Sequence, residues 1–164
     1  MAAKIMILNG PNLNFLGTRE PHIYGRTTLK EIEASCHALA DHLGASISFH
    51  QSNMEGELVG LIQSAHGKAD AIIMNPAGYS FTSIALIDAL KIFEGVKIEL
   101  HISNIHARDE LHRHSITSSA CTAVICGLGP YGYIAAILAA VQRLGQLPET
   151  IAPALHGLAA AGQA

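Results

Sequence analysis

Charge is scarce in this chain. Lys and Arg number 10 and Asp and Glu 13, so only 14% of the 164 residues are formally charged. The net charge is −3 and the pI about 6.3. That balance lacks the basic footprint of a nucleic-acid-binding surface or of a patch for anionic lipid. Cysteine is scarce too. Cys36, Cys121 and Cys126 make an odd count with no CxxC, which excludes a disulfide framework and suits small buried groups in a cytoplasmic protein. No apolar run approaches the ~20 residues that cross a bilayer. The start, MAAKIMILNG, reaches polar turn residues too soon for a signal-peptide core. Neither membrane nor nucleic acid is an expected partner, and the expected compartment is the cytoplasm.

Apolar side chains, by contrast, make up 49% of the sequence, enough for a layered core or for subunit contacts. The length suits one domain. That domain is expected over 1–146, with a C-terminal tail over 147–164, where two Pro and many small residues gather. There is no internal repeat and no linker.

Strand-like and helix-like segments alternate. KIMIL (4–8), SISFH (46–50), AIIM (71–74), KIELHI (97–102) and AVIC (123–126) read as five short strands. Between the first two, TLKE at 28–31 has the form of a capping box. Leu29, Ile32, Cys36, Leu39 and Leu43 follow on one helical stripe, and Gly44 is a suitable stop. Further helices are expected around 58–65, over 83–93 and over 131–144. The helix over 83–93 is apolar nearly all round, so it is expected to be covered on more than one side. Such a pattern implies an α/β fold: a parallel sheet with helices on both faces. Right-handed crossovers favour a flavodoxin-like five-stranded sheet in the order 2-1-3-4-5.

Ligands of open α/β sheets bind beyond the carboxyl ends of the strands. Three polar clusters sit there. The first strand runs into Asn9-Gly-Pro-Asn12 and a loop carrying Arg19 and Tyr24. The third runs into Asn75-Pro-Ala-Gly78, and the fourth into His101-Ile102-Ser103-Asn104. The proposed strand order brings all three to one cleft. A phenol is a weak base until ionised, and a cation close by favours the ionised form; Arg19 is the cation expected to do this for Tyr24. His101 can donate a proton near neutral pH. Glu99 has the same side-chain parity and is placed to orient His101 or keep it charged. The amides of Ile102 and Ser103 suit a carboxylate, and Asn12 and Asn75 suit hydroxyls, a carbonyl or an ordered water. A base, an acid and an anion site suit proton abstraction beside a carbonyl, then loss of a β-leaving group, with no metal needed. Asp88, inside an apolar helix, reads either as part of a ligand site or as a salt bridge at a subunit contact.

Two motifs point elsewhere and are set aside. Gly127-Leu-Gly129-Pro-Tyr-Gly132 matches GxGxxG, but it follows the last strand and no strand with an acidic ribose partner comes after it. The run of His101, His106, His112 and His114 has no zinc-site spacing.

LNGPNLNFLGTREPHIYG (8–25), the Asn-Pro stretch at 75, ELHISNIHARDELHRHS (99–115) and VICGLGPYGY (124–133) together resemble type II 3-dehydroquinate dehydratase, over about residues 4–144. The resemblance implies a flavodoxin-like subunit in a homo-oligomer, usually a dodecamer built from trimers. It also implies cofactor-free loss of water from the small molecule 3-dehydroquinate, through an enolate, to give 3-dehydroshikimate. Carried over by position, Tyr24 is the base, Arg19 its activator on a mobile lid, and His101 the acid. Asn12 and the end of the third strand hold a water that stabilises the enolate. Ile102 and Ser103 take the carboxylate, Asn75 contacts ring hydroxyls, and Asp88 reaches a neighbouring subunit's site. The chain departs from the family pattern at three positions: Phe81 replaces a usual His, Ile87 a usual Arg, and His112 an Arg that contacts substrate hydroxyls. The alternative reading is therefore a divergent lyase for a related β-hydroxy ketone carboxylate. A non-catalytic binding or scaffold protein on the same frame is a further class, against which the intact proton-transfer residues argue; for flavin binding, a related reading, the aromatic flanks are not evident.

Overall fold

The computed structural model describes residues 2–151. Five strands form one parallel sheet in the order β2-β1-β3-β4-β5, as expected. They are β1 (Lys4–Asn9), β2 (Ser46–Gln51), β3 (Ala71–Asn75), β4 (Val96–His101) and β5 (Ala123–Cys126). Every residue of the central strand β3 is buried, which is why its sequence is a continuous apolar run and not an alternation.

Helices cover both faces. Ile5, Ile7, Ala71, Ile73, Ile98 and Leu100 meet α2 (Leu29–Leu43) and α5 (Tyr131–Arg143). Met6, Leu8, Ile72 and Met74 meet α3 (Glu55–Ala65) and α4 (Ile84–Ile92). The capping box at Thr28 and Glu31 is present, and Gly44 closes α2 at a positive φ of 66°.

Two features differ from the sequence expectation. A four-residue helical turn, α1 (Pro21–Tyr24), interrupts the loop after β1. Four residues are too few to show a helical period, and the turn is held by the Ile23 and Tyr24 amides on the Glu20 carbonyl at 2.8 and 3.1 Å. The second is α4, which was expected to be covered on more than one side. Leu86, Ala89 and Leu90 are buried, but Ile84 is 61% and Ile92 50% exposed in the single chain, and Asp88 lies on the same open side. Of the expected tail only residues 147–151 are described; Leu147 packs into the core, and 152–164 lie outside the described residues. Among those described, no helix is long and apolar enough to cross a membrane.

Candidate active site

The carboxyl ends of β1, β3 and β4 open onto one cavity of about 230 Å³. Its floor depends on a close approach. Gly10 donates to the Asn75 carbonyl at 2.8 Å, and a Cβ at position 10 would run into the Pro76 carbonyl. Only glycine lets the two strand ends meet there. Asn12 follows in a left-handed conformation, φ 67°, which Asn tolerates better than most side chains.

Of the residues singled out from the sequence, Asn12, Arg19, Tyr24, Asn75, Phe81, His101, Ile102, Ser103 and His112 all line this cavity. Glu99 stands behind it, and Asp88 does not line it. The Gly127–Gly132 turn does not line the cavity; its Gly127 and Gly129 amides donate to the His101 and Ile102 carbonyls at 3.2 and 3.0 Å. Those amides are occupied by the strand end and not held open for a phosphate.

His101 is held by a buried carboxylate. Its Nε2 lies 2.7 Å from Glu99 Oε1, with Glu99 0% and His101 4% exposed. Thr117 donates its hydroxyl to the other Glu99 oxygen at 2.6 Å. Burial by itself pushes the Glu99 carboxyl up, but hydrogen bonds from His101, Ser115 and Thr117 outweigh it and set the carboxyl below its ordinary value. Glu99 is thus an anion that accepts from His101. Nδ1 is then the ring nitrogen His101 has left for the cavity.

Tyr24 has a different cationic neighbour from the one expected. Arg108 Nη1 donates to the Tyr24 hydroxyl oxygen at 2.9 Å, and its guanidinium carbon lies 5.8 Å from the ring centroid. Arg19, the expected partner, lines the same cavity but holds Glu20 through Nε at 3.0 Å. Adjacent residues find each other more readily than residues five apart on a turn. Arg108 was missed because it lies 84 positions from Tyr24; the available signal was its place inside the His101–Ser115 segment. Arg113 steadies it, donating to the Arg108 carbonyl at 3.1 Å.

Phe81 fills the space between two imidazoles. Its ring stacks on His101 with centroids 6.3 Å apart and meets His112 edge-on at 5.4 Å. His112 turns Nδ1 to both Asp109 oxygens at 2.8 Å. That hydrogen bond is the main cause holding the exposed Asp109 carboxyl below its ordinary value. No group of three or more His, Cys, Asp or Glu side chains is arranged to hold a metal ion among the described residues.

The dehydroquinase class II family model matches residues 3–141. A 3-dehydroquinate dehydratase of Bartonella henselae is 53% identical over 146 residues, 89% of this chain and 99% of that protein. A protein of Fusarium vanettenii named catabolic 3-dehydroquinase 1 is 51% identical, covering 88% of this chain and 100% of its own. Among solved structures, a type II dehydroquinase from Butyrivibrio crossotus superposes with a TM-score of 0.81 at 39% identity, covering 83% of this chain and 95% of that one.

Proposed function

The chain belongs to the dehydroquinase class II family, and from that premise we propose that it removes water from 3-dehydroquinate to give 3-dehydroshikimate. The observation that carries the reading is the convergence of Tyr24, Arg108 and the Glu99-backed His101 on one cavity.

In the proposed mechanism, Tyr24 acts as its phenolate and takes a proton from the carbon beside the ketone. Arg108, bonded to the phenol oxygen, stabilises the charged form, and Arg19 adds a second cation from the loop that carries Tyr24. The electrons of the broken C–H bond pass into an enolate, which a water held by Asn12 and the end of β3 stabilises. The enolate then expels the hydroxyl on the next carbon. A new C=C bond forms as the C–O bond breaks, and Nδ1 of His101 supplies the proton that lets the hydroxyl leave as water. Glu99 balances the imidazolium before that transfer. The proton taken by Tyr24 must return to His101 before the next turnover. Ile102 and Ser103 amides bind the carboxylate, and Asn75 binds ring hydroxyls. Protein groups supply each proton and charge, so no cofactor enters the scheme.

We also propose that copies assemble through trimers into a dodecamer in the cytoplasm. The open face of α4, with Ile84 and Ile92 exposed, supports a subunit contact there; in that assembly Asp88 reaches a neighbouring copy's cavity.

The direct test is to mix purified protein with 3-dehydroquinate and follow the ultraviolet absorbance of the conjugated enone. Absorbance that grows with wild-type protein and not with a Tyr24→Phe variant is expected. Equal rates in both, or none in either, would reject the assignment.

One observation favours a second reading. Phe81 presents a ring without any hydrogen-bonding atom to the cavity, beside a histidine already engaged by Asp109. A related β-hydroxy ketone carboxylate with fewer hydroxyls would suit that wall. If so, a Phe81→His, His112→Arg double variant gains turnover of 3-dehydroquinate; no gain counts against this reading.

A further inference from the structure

Behind the cavity wall, Asn75 is backed by a chain of buried polar groups whose other members no step above uses. Asn9 and Asn75 end neighbouring strands and are paired in register. Both are buried, and Tyr133 of α5, 0% exposed, meets both. Asn9 Nδ2 donates to the His50 main-chain carbonyl on β2 at 3.0 Å. Tyr133 donates its hydroxyl hydrogen to Asn9 Oδ1 at 2.6 Å. Asn75 Nδ2 donates to the Tyr133 oxygen at 3.4 Å, and the Ala77 amide donates to Asn75 Oδ1 at 3.2 Å.

Each link dictates the next. A carbonyl only accepts, so Asn9 must turn its nitrogen to His50 and its oxygen to Tyr133. The phenol has one hydrogen, and it goes to Asn9. Burial pushes the Tyr133 phenol well up from its ordinary value, so that hydrogen stays in place. The Tyr133 oxygen is then an acceptor toward Asn75. At the other end the Ala77 N–H can only donate. Reversing the Asn75 amide would set oxygen against oxygen at Tyr133 and hydrogen against hydrogen at Ala77. Either mismatch leaves buried groups unpaired.

We propose that Tyr133 is a positioning residue for ligand recognition: through this one-way chain it holds Asn75 with an N–H left for the cavity, so that the ligand atom met there is an acceptor oxygen. Asn75 has two amide hydrogens, and Tyr133 takes one. The other is its donor for a ring hydroxyl or carbonyl oxygen. Tyr133 itself does not line the cavity. The ligand half of the proposal rests on the dehydroquinate reading of this site; the orientation half does not.

Two measurements decide it. The first is kcat and KM for 3-dehydroquinate in Tyr133→Phe, Asn75→Ala and the double variant. Tyr133→Phe is expected to raise KM by about 3- to 10-fold with kcat nearly unchanged. In the Asn75→Ala background the same change should add nothing to KM. An equal KM penalty in both backgrounds, or a loss confined to kcat, overturns the proposal. The second needs no substrate: NMR of the Asn75 side-chain amide. Slow hydrogen exchange in the wild type and fast exchange with shifted resonances in Tyr133→Phe are expected. Unchanged Asn75 signals overturn the proposed orientation, whether or not the wild type turns over dehydroquinate.

Discussion

Replacing Glu99 with Gln keeps the shape of the side chain and removes its charge. The carboxylate is wholly buried and lies 2.7 Å from His101, itself 4% exposed. Solvent therefore screens this pair very little. A hydrogen bond to a charged group contributes about 1.5–3 kcal/mol, and each 1.36 kcal/mol is about a factor of ten. In Glu99→Gln the charged His101 ring that the mechanism uses as its acid loses its buried anionic partner, and activity should fall by about 10- to 150-fold. The assay is the enone absorbance at neutral pH, with circular dichroism to establish that the variant is folded. A folded Glu99→Gln protein with wild-type kcat would refute the reasoning.

Arg108→Gln should lower kcat by about 10- to 150-fold, because the phenolate loses the donor 2.9 Å away; Arg19→Gln should cost less, and the reverse order in steady-state rates would return the role to Arg19. The Glu99 carboxyl sits below its ordinary value of 4.5, so the stability it contributes is complete above that pH and is lost as pH falls below it. Thermal melts from pH 7 to 3 should show the wild type losing stability more steeply than Glu99→Gln; parallel losses would contradict this. Thr28→Ala removes the α2 capping box and should cost about 1 kcal/mol in urea unfolding while leaving turnover intact.

Much of this was legible in the sequence, for identifiable reasons. Buried parallel strands such as AIIM are unbroken apolar runs, and helix ends such as Thr28 and Gly44 carry their own signals, because both depend on local chemistry. The place of the cavity followed from strand order, since Asn75 and His101 end β3 and β4 and Asn12 follows shortly after β1. What stayed hidden depends on contacts between distant residues. Arg108 reaches Tyr24 across 84 positions, while Arg19, five positions away, turns to Glu20. Tyr133 meets Asn9 across 124 positions, and its helical stripe reads only as core. An apolar helix such as α4 reads the same whether its cover comes from its own chain or from another, so the open side at Ile84 and Ile92 is not legible in the sequence.

The most direct test of the central claim is a crystal structure with an unreactive analogue of the enolate bound. The account predicts the Tyr24 oxygen within about 3.5 Å of the carbon beside the ketone position, Arg108 still on that oxygen, and Nδ1 of His101 facing the carbon that loses its hydroxyl. An analogue seated elsewhere, or a His101 that turns Nδ1 away while Tyr24 and Arg108 separate, would contradict it.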